Sequence, residues 1–270
     1  MASVVADFAA ADDLLREAGQ GRLAGHASIV LQKSGRIGPL VEIALAAMTH
    51  GDQYRGVSVN SLFAAHLNQA LQSRCPFGSS YNDCAGAFPL SAVNPVTSTG
   101  LEWDQWTTHA ENIAKAQGFN AQLVAGLLGA LIEIQDNIYE HSGAPESGVV
   151  AYATTASSFE FVVADRGIGV LSSLRQNPKY AQVSDAGVAL GLAITDGVSR
   201  FPSETGHGQG FNQLFRALVG HNAELRFRSG DHALTLRPGR DFTEGASVLA
   251  QVAPLAGLSI SVFCNGGALP

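Results

Sequence analysis

Residues 161–169 read Phe161-Val162-Val163-Ala164-Asp165-Arg166-Gly167-Ile168-Gly169. An apolar β-like run delivers an aspartate at its end, and two glycines separated by one residue follow. Glycines at such a place allow close backbone approach and positive φ. A carboxylate at a strand end can accept a hydrogen bond from an exocyclic amine. Taken alone, the segment reads equally as a tight turn after a strand.

Upstream, Ala121 to Ser142 carries apolar residues at helical spacing, with Asn120 placed to cap its start. Within it lie Glu133, Asn137 and His141, spaced i, i+4, i+8 and therefore on one face. Leu127, Leu128, Leu131, Ile134 and Ile138 supply an apolar stripe on the other side. A solvated face is the plain alternative for the polar triplet.

Downstream, Gly206-His207-Gly208-Gln209-Gly210 opens a predicted helix, FNQLFRALVGHN. Alternating glycines at a helix N-terminus offer backbone N–H groups and the positive dipole end to an anion. The spacing is not that of the dinucleotide fingerprint, and no Lys-Ser/Thr follows as in a P-loop. A flexible turn before a helix is the alternative here.

Taken in order, on a helix, a strand end and a helix start, these segments resemble the N, G1 and G2 boxes of the GHKL superfamily. The resemblance spans roughly residues 101–265 and is nearest to bacterial stand-alone histidine-kinase-like ATPases. It implies ATP and Mg2+ as cofactors. It also implies an α/β fold: a Bergerat-type two-layer sandwich, one mixed sheet covered on one face by helices. By the same resemblance Asn137 ligates magnesium, and Glu133 positions or deprotonates water or orients a metal-bound water. His141 lies towards the phosphates, with a favourable place at a helix C-terminus as its alternative. Asp165 binds the adenine amine, Gly167 and Gly169 let the backbone wrap the base, and Gly206, Gly208 and Gly210 line the triphosphate. Residues 170–205 would form a lid carrying Arg175, Lys179 and Arg200, each otherwise a surface charge. Thr235 falls where the family often has a hydroxyl near the adenine-binding Asp.

The implied function is that of a regulatory ATPase or protein kinase acting on a protein partner, as the anti-sigma kinases do. The alternative is a catalytically weak, nucleotide-gated interaction module. His109-Ala110-Glu111 lacks the context of a phosphoacceptor helix and reads as helix surface. Because the chain ends at Pro270, no following domain is expected to complete the site, and efficient hydrolysis is not expected.

Composition limits the partners. Of 270 residues, 46% are hydrophobic and 14% charged, too apolar for a disordered chain. A net charge of -7 provides no general attraction for nucleic acid or an anionic membrane. The start, MASVVADFAAADDLL, has no basic n-region, and no apolar run is long enough for a bilayer span. Cys75, Cys84 and Cys264 are too few and too scattered for a disulfide framework or a zinc site. A cytoplasmic protein with protein partners, a homodimer among the candidates, is the expectation.

Residues 1–98 are predicted to form a smaller α/β segment. It runs from a helix over the first twenty residues through ASIVLQ as a strand to RIGPLVEIALAAMTHG as a helix. VSVNSLFAAHLNQALQSR carries a further strand-to-helix pattern. CPFGSSYNDCAGAFPLSAVNPVTSTG, residues 75–100, is rich in Gly, Pro, Ser and Asn and reads as a long loop or linker. The ATP-binding domain is placed at 99–270. EWDQWTTHAENIAKAQG is expected as a helix and VVAYATTASSFEFVVAD as two strands. AELRFRSG, HALTLRPG and LSISVFCN are expected as three more.

Overall fold

A computed structural model describes residues 2–5, 7–22, 27–30, 36–51, 57–60, 62–72, 80–81, 84–92, 100–195, 223–237 and 247–265. The chain opens with an alternating unit of β1 (Ala2–Val5), α1 (Phe8–Gly19), β2 (Ala27–Val30), α2 (Gly38–Thr49), β3 (Val57–Asn60) and α3 (Leu62–Gln72). β1, β2 and β3 pair in parallel, in that order. Crossover helices between successive strands make parallel pairing the natural outcome. The first residues, expected as helix, contribute β1 before α1 begins. Asp7 stops the strand and caps α1, its carboxylate accepting from Ala10 N at 2.8 Å.

The remaining elements build an antiparallel six-stranded sheet. They are β4 (Ser80–Tyr81), β5 (Ala85–Pro89), α4 (Leu101–Ala116), α5 (Ala121–His141), β6 (Val149–Thr154) and β7 (Ser158–Asp165). α6 (Gly169–Leu174), α7 (Ala186–Ala193), β8 (Ala223–Leu236) and β9 (Ser247–Asn265) follow. The strand order is β4-β5-β6-β7-β9-β8, with every neighbouring pair antiparallel. The protein is thus α/β as expected, but its parallel and antiparallel strands lie in separate sheets rather than in one mixed sheet.

Two further expectations are corrected. The segment read as a loop, 75–100, contains β4 and β5, and β5 pairs with β6 from Ala85↔Ala153 to Pro89↔Val149. The sheet therefore crosses the division expected at residue 98. Glycine and proline obscured the signal, yet Gly86, Ala87 and Phe88 are buried, and Pro89 is the last residue of its strand.

The sheet is also covered on both faces, not one. Successive residues of a strand point to opposite faces. Phe159, Phe161 and Val163 join Leu127, Leu131, Ile134 and Ile138 of α5 and Trp106, Ala110 and Ala114 of α4 in one core. Val162 and Ala164 face the other way and join Leu15 of α1, Leu40 and Ile43 of α2 and Phe63 of α3. The second layer went unread because β6 and β7 are apolar at nearly every position. A strand buried on both faces gives no alternation to interpret.

α5 sets the front face. Asn120 caps it as the sequence suggested, accepting from Gln122 N at 2.8 Å and Leu123 N at 3.2 Å. On the back, Glu160 of β7 caps α2, accepting from Ile37 N at 2.6 Å and Gly38 N at 3.1 Å. A carboxylate there matches the positive end of the helix. No described helix is long and apolar enough to cross a membrane.

Candidate functional site

β7 ends at Asp165, which lies on the front face in line with Phe161 and Val163 and is 1% exposed. Leu258 of β9 stands opposite it, and Ser229 of β8 stands opposite Leu258. The chain then turns sharply. Gly167 N donates to Asp165 Oδ1 at 2.5 Å, and among the described residues no donor meets the other carboxylate oxygen. Burial raises the Asp165 carboxyl to about 7, and the Gly167 hydrogen bond opposes that rise only in part.

The turn is welded to the end of α5. Ile168 N donates to the Ser142 carbonyl at 2.8 Å. A β-carbon on Gly167 would overlap that same carbonyl oxygen and would stand 2.7 Å from Asp165 Oδ1. Only glycine fits between the two. The helix bearing Glu133, Asn137 and His141 thus ends against the loop bearing Asp165 and Gly167.

Beneath the loop, Ser229 makes two hydrogen bonds that sequence reading missed. Its Oγ accepts from Val170 N at 3.0 Å and donates to Gly257 O at 2.7 Å. Gly169 and Gly257 both have positive φ, 73° and 75°. A β-carbon on Gly169 would be 2.8 Å from Ser229 Oγ, and one on Gly257 would overlap the Asp165 carbonyl. The one available signal was a glycine inside a β-patterned run, Leu255-Ala256-Gly257-Leu258, which marks close approach of another backbone. Ser147 supports the turn from the side, its Oγ accepting from Arg166 N at 3.0 Å.

On α5, Glu133 is exposed and Asn137 half-buried. Asn137 Nδ2 donates to Glu133 O at 2.7 Å, so the amide oxygen is the end left for a ligand. His141 Nε2 lies 3.7 Å from a Glu140 carboxylate oxygen. Gly206, Gly208, Gly210 and Arg200 lie outside the described residues.

The described part of the expected lid is helical. Leu174, Tyr180 and Ala189 form a small core of their own, with Val170, Leu171, Val183 and Leu192 around it. α7 packs on the β8–β9 ribbon, where Gly187 approaches His232 and Leu249. Arg175 and Lys179 are exposed, and Lys179 Nζ sits over the Tyr180 ring at 5.2 Å. Thr235 pairs with Val248 on the same ribbon. It stands six positions beyond Ser229, on the order of 20 Å of strand. The hydroxyl under the glycine loop is therefore that of Ser229.

Chemically, the site combines a buried carboxyl with one oxygen that no described donor meets, a loop with no room for a side chain at Gly167 or Gly169, and an amide oxygen on the adjoining helix. Comparison of the chain with protein-family models, with curated proteins and with solved structures gave no match.

Proposed function

We propose that this chain binds ATP with Mg2+ in a Bergerat-type pocket of the GHKL kind and acts on a protein partner as a regulatory ATPase or protein kinase. The carrying observation is the junction of α5 with the Asp165 loop. Gly167 is packed between the Ser142 carbonyl and the Asp165 carboxylate, where a side chain has no space. Asp165 has one oxygen committed to Gly167 N and one left to accept from an adenine amine. Gly167 and Gly169 keep the backbone thin beside the base.

Asn137 would hold the magnesium through its amide oxygen, the other ligands being phosphate oxygens and water. When bound, the ion would neutralise phosphate charge. Glu133, one helical turn before Asn137, would orient water or take its proton as the γ-phosphoryl group is transferred. His141 would lie near the phosphates. Gly206, Gly208 and Gly210 would supply backbone N–H groups to the same anion.

Titration with a fluorescent ATP analogue, with and without magnesium, tests the reading against Asp165→Asn. Saturable, magnesium-dependent binding that the substitution abolishes supports it. A wild-type chain that does not bind sinks it.

A second reading is a nucleotide-gated interaction module with little turnover. Val188 on α7 and Val248 and Leu249 on β9 are 53%, 55% and 47% exposed, an apolar surface on the arm that packs beside the loop. Glu133→Ala separates the two: turnover falls under the first reading, whereas under the second only binding matters.

A further inference from the structure

The back of the sheet carries a buried charged cluster that joins α1 and α2 to β8. Arg228 is fully buried. Its Nη1 donates to Glu42 Oε2 at 2.5 Å and to Asp12 Oδ1 at 3.1 Å. Beside it, Arg226 donates through Nε to Glu42 at 3.0 Å and through Nη2 to Asp12 at 2.6 Å. Burial raises the Asp12 carboxyl despite both guanidinium groups, so desolvation is substantial here. Among the described residues, buried Arg228 Nε has no hydrogen-bond partner. A guanidinium so placed stays buried only while its carboxylates hold it.

Arg228 also reaches across the ladder, Nη2 donating to Ala253 O at 2.5 Å. That contact lies in a second register shift, where the pairing steps from Gly230↔Leu255 to His232↔Gln251 with Ala253 in the intervening stretch of β9. It adjoins a first shift: Ser229 pairs with Leu258 but Gly230 pairs with Leu255, so β9 carries Ala256 and Gly257 as extra residues. Such a bulge bends a strand and re-aims its neighbours. Here it presents Gly257 to the Asp165 carbonyl, to Gly169 and to Ser229 Oγ. Leu255, on the other side of the bulge, is buried in the core formed with α1, α2 and α3. The bulge is therefore held from the back by two independent contacts, both of which involve the N-terminal helices.

We infer that Arg228 is a positioning residue for the glycine loop: Asp12 and Glu42 fix its guanidinium, the guanidinium fixes the β9 bulge, and the bulge with Ser229 fixes residues 167–170. The N-terminal helices and the loop then share one equilibrium, and anything that shifts α1 or α2 changes the loop in proportion. The inference rests on the nucleotide reading only for what the loop holds.

The test is hydrogen exchange on the full chain without nucleotide, so a failure of ATP binding does not touch it. Glu42→Gln keeps the volume and removes the charge; Asp12→Asn, at the rim of the cluster, is the milder change should the first not fold. The Val170 amide, which donates to Ser229, should exchange on the order of fivefold faster or more, while amides of β6 keep their wild-type rates. Unchanged exchange at Val170 in a folded variant overturns the inference. So does a rise of equal size at β6, because a merely structural role would loosen the sheet as a whole.

Discussion

Ser142 and Gly167 touch through their backbones, with no room for a side chain on Gly167 and with the next amide, of Ile168, donating to the Ser142 carbonyl at 2.8 Å. This contact joins the last turn of α5 to the strand-end carboxylate. Gly167→Ala should cost about 2–3 kcal/mol, since the obstacle is backbone and cannot rotate away. Urea unfolding of the variant checks this. A change under ~0.5 kcal/mol would mean that the loop and α5 separate freely.

Asp165 makes stability depend on pH in an unusual direction. Its carboxyl is raised from 3.8 to about 7 in the fold, chiefly by burial. Between those values the folded state keeps a proton that the unfolded state has lost. This contribution to stability is full below the unfolded value, falls as pH rises, and levels off above about 7. Its slope is at most on the order of 1.4 kcal/mol per pH unit. Asp165→Asn removes the dependence, so the variant should gain on the wild type as pH rises from about 4 to about 7. Thermal melts across that range, showing parallel curves for the two proteins, would refute it.

Nucleotide binding should show the opposite trend. An ionised carboxylate is the better acceptor for an exocyclic amine. Affinity for the fluorescent ATP analogue should therefore rise from about pH 6 to about pH 8 in the wild type. A flat profile would place the adenine contact elsewhere.

Ser229→Ala removes the partner of two backbone groups, the half-buried Val170 N and the buried Gly257 O. Leaving such groups unmet costs about 1–3 kcal/mol. Thr235→Ala, six positions along the same strand, should leave analogue affinity unchanged. Equal effects of the two on affinity would show that the ribbon, rather than the serine, matters.

Glu133 and Asn137 should separate by phenotype. Asn137→Ala is expected to abolish the magnesium-dependent part of binding. Glu133→Ala should retain binding and reduce turnover by about 10²–10⁴-fold if the carboxylate acts on water. Steady-state phosphate release, measured beside the titrations, distinguishes them.

Much of the local structure was legible from residues alone. Asn120 caps α5, the apolar stripe Leu127-Leu131-Ile134-Ile138 faces the core, and Asp165 stands at a strand end with glycines after it. Each is decided within a few positions by capping, periodicity or φ, which are short-range effects. What only the tertiary structure decided involves partners far apart in sequence. β5 hides in a glycine- and proline-rich stretch because its pairing with β6, not its propensity, makes it a strand. The second helical layer, the bulge at Gly257, the hydrogen bonds of Ser229 and the cluster of Arg228 with Glu42 and Asp12 depend on register across the sheet. Register is set by the sum of packing on both faces, and in strands buried on both faces no single segment carries that information.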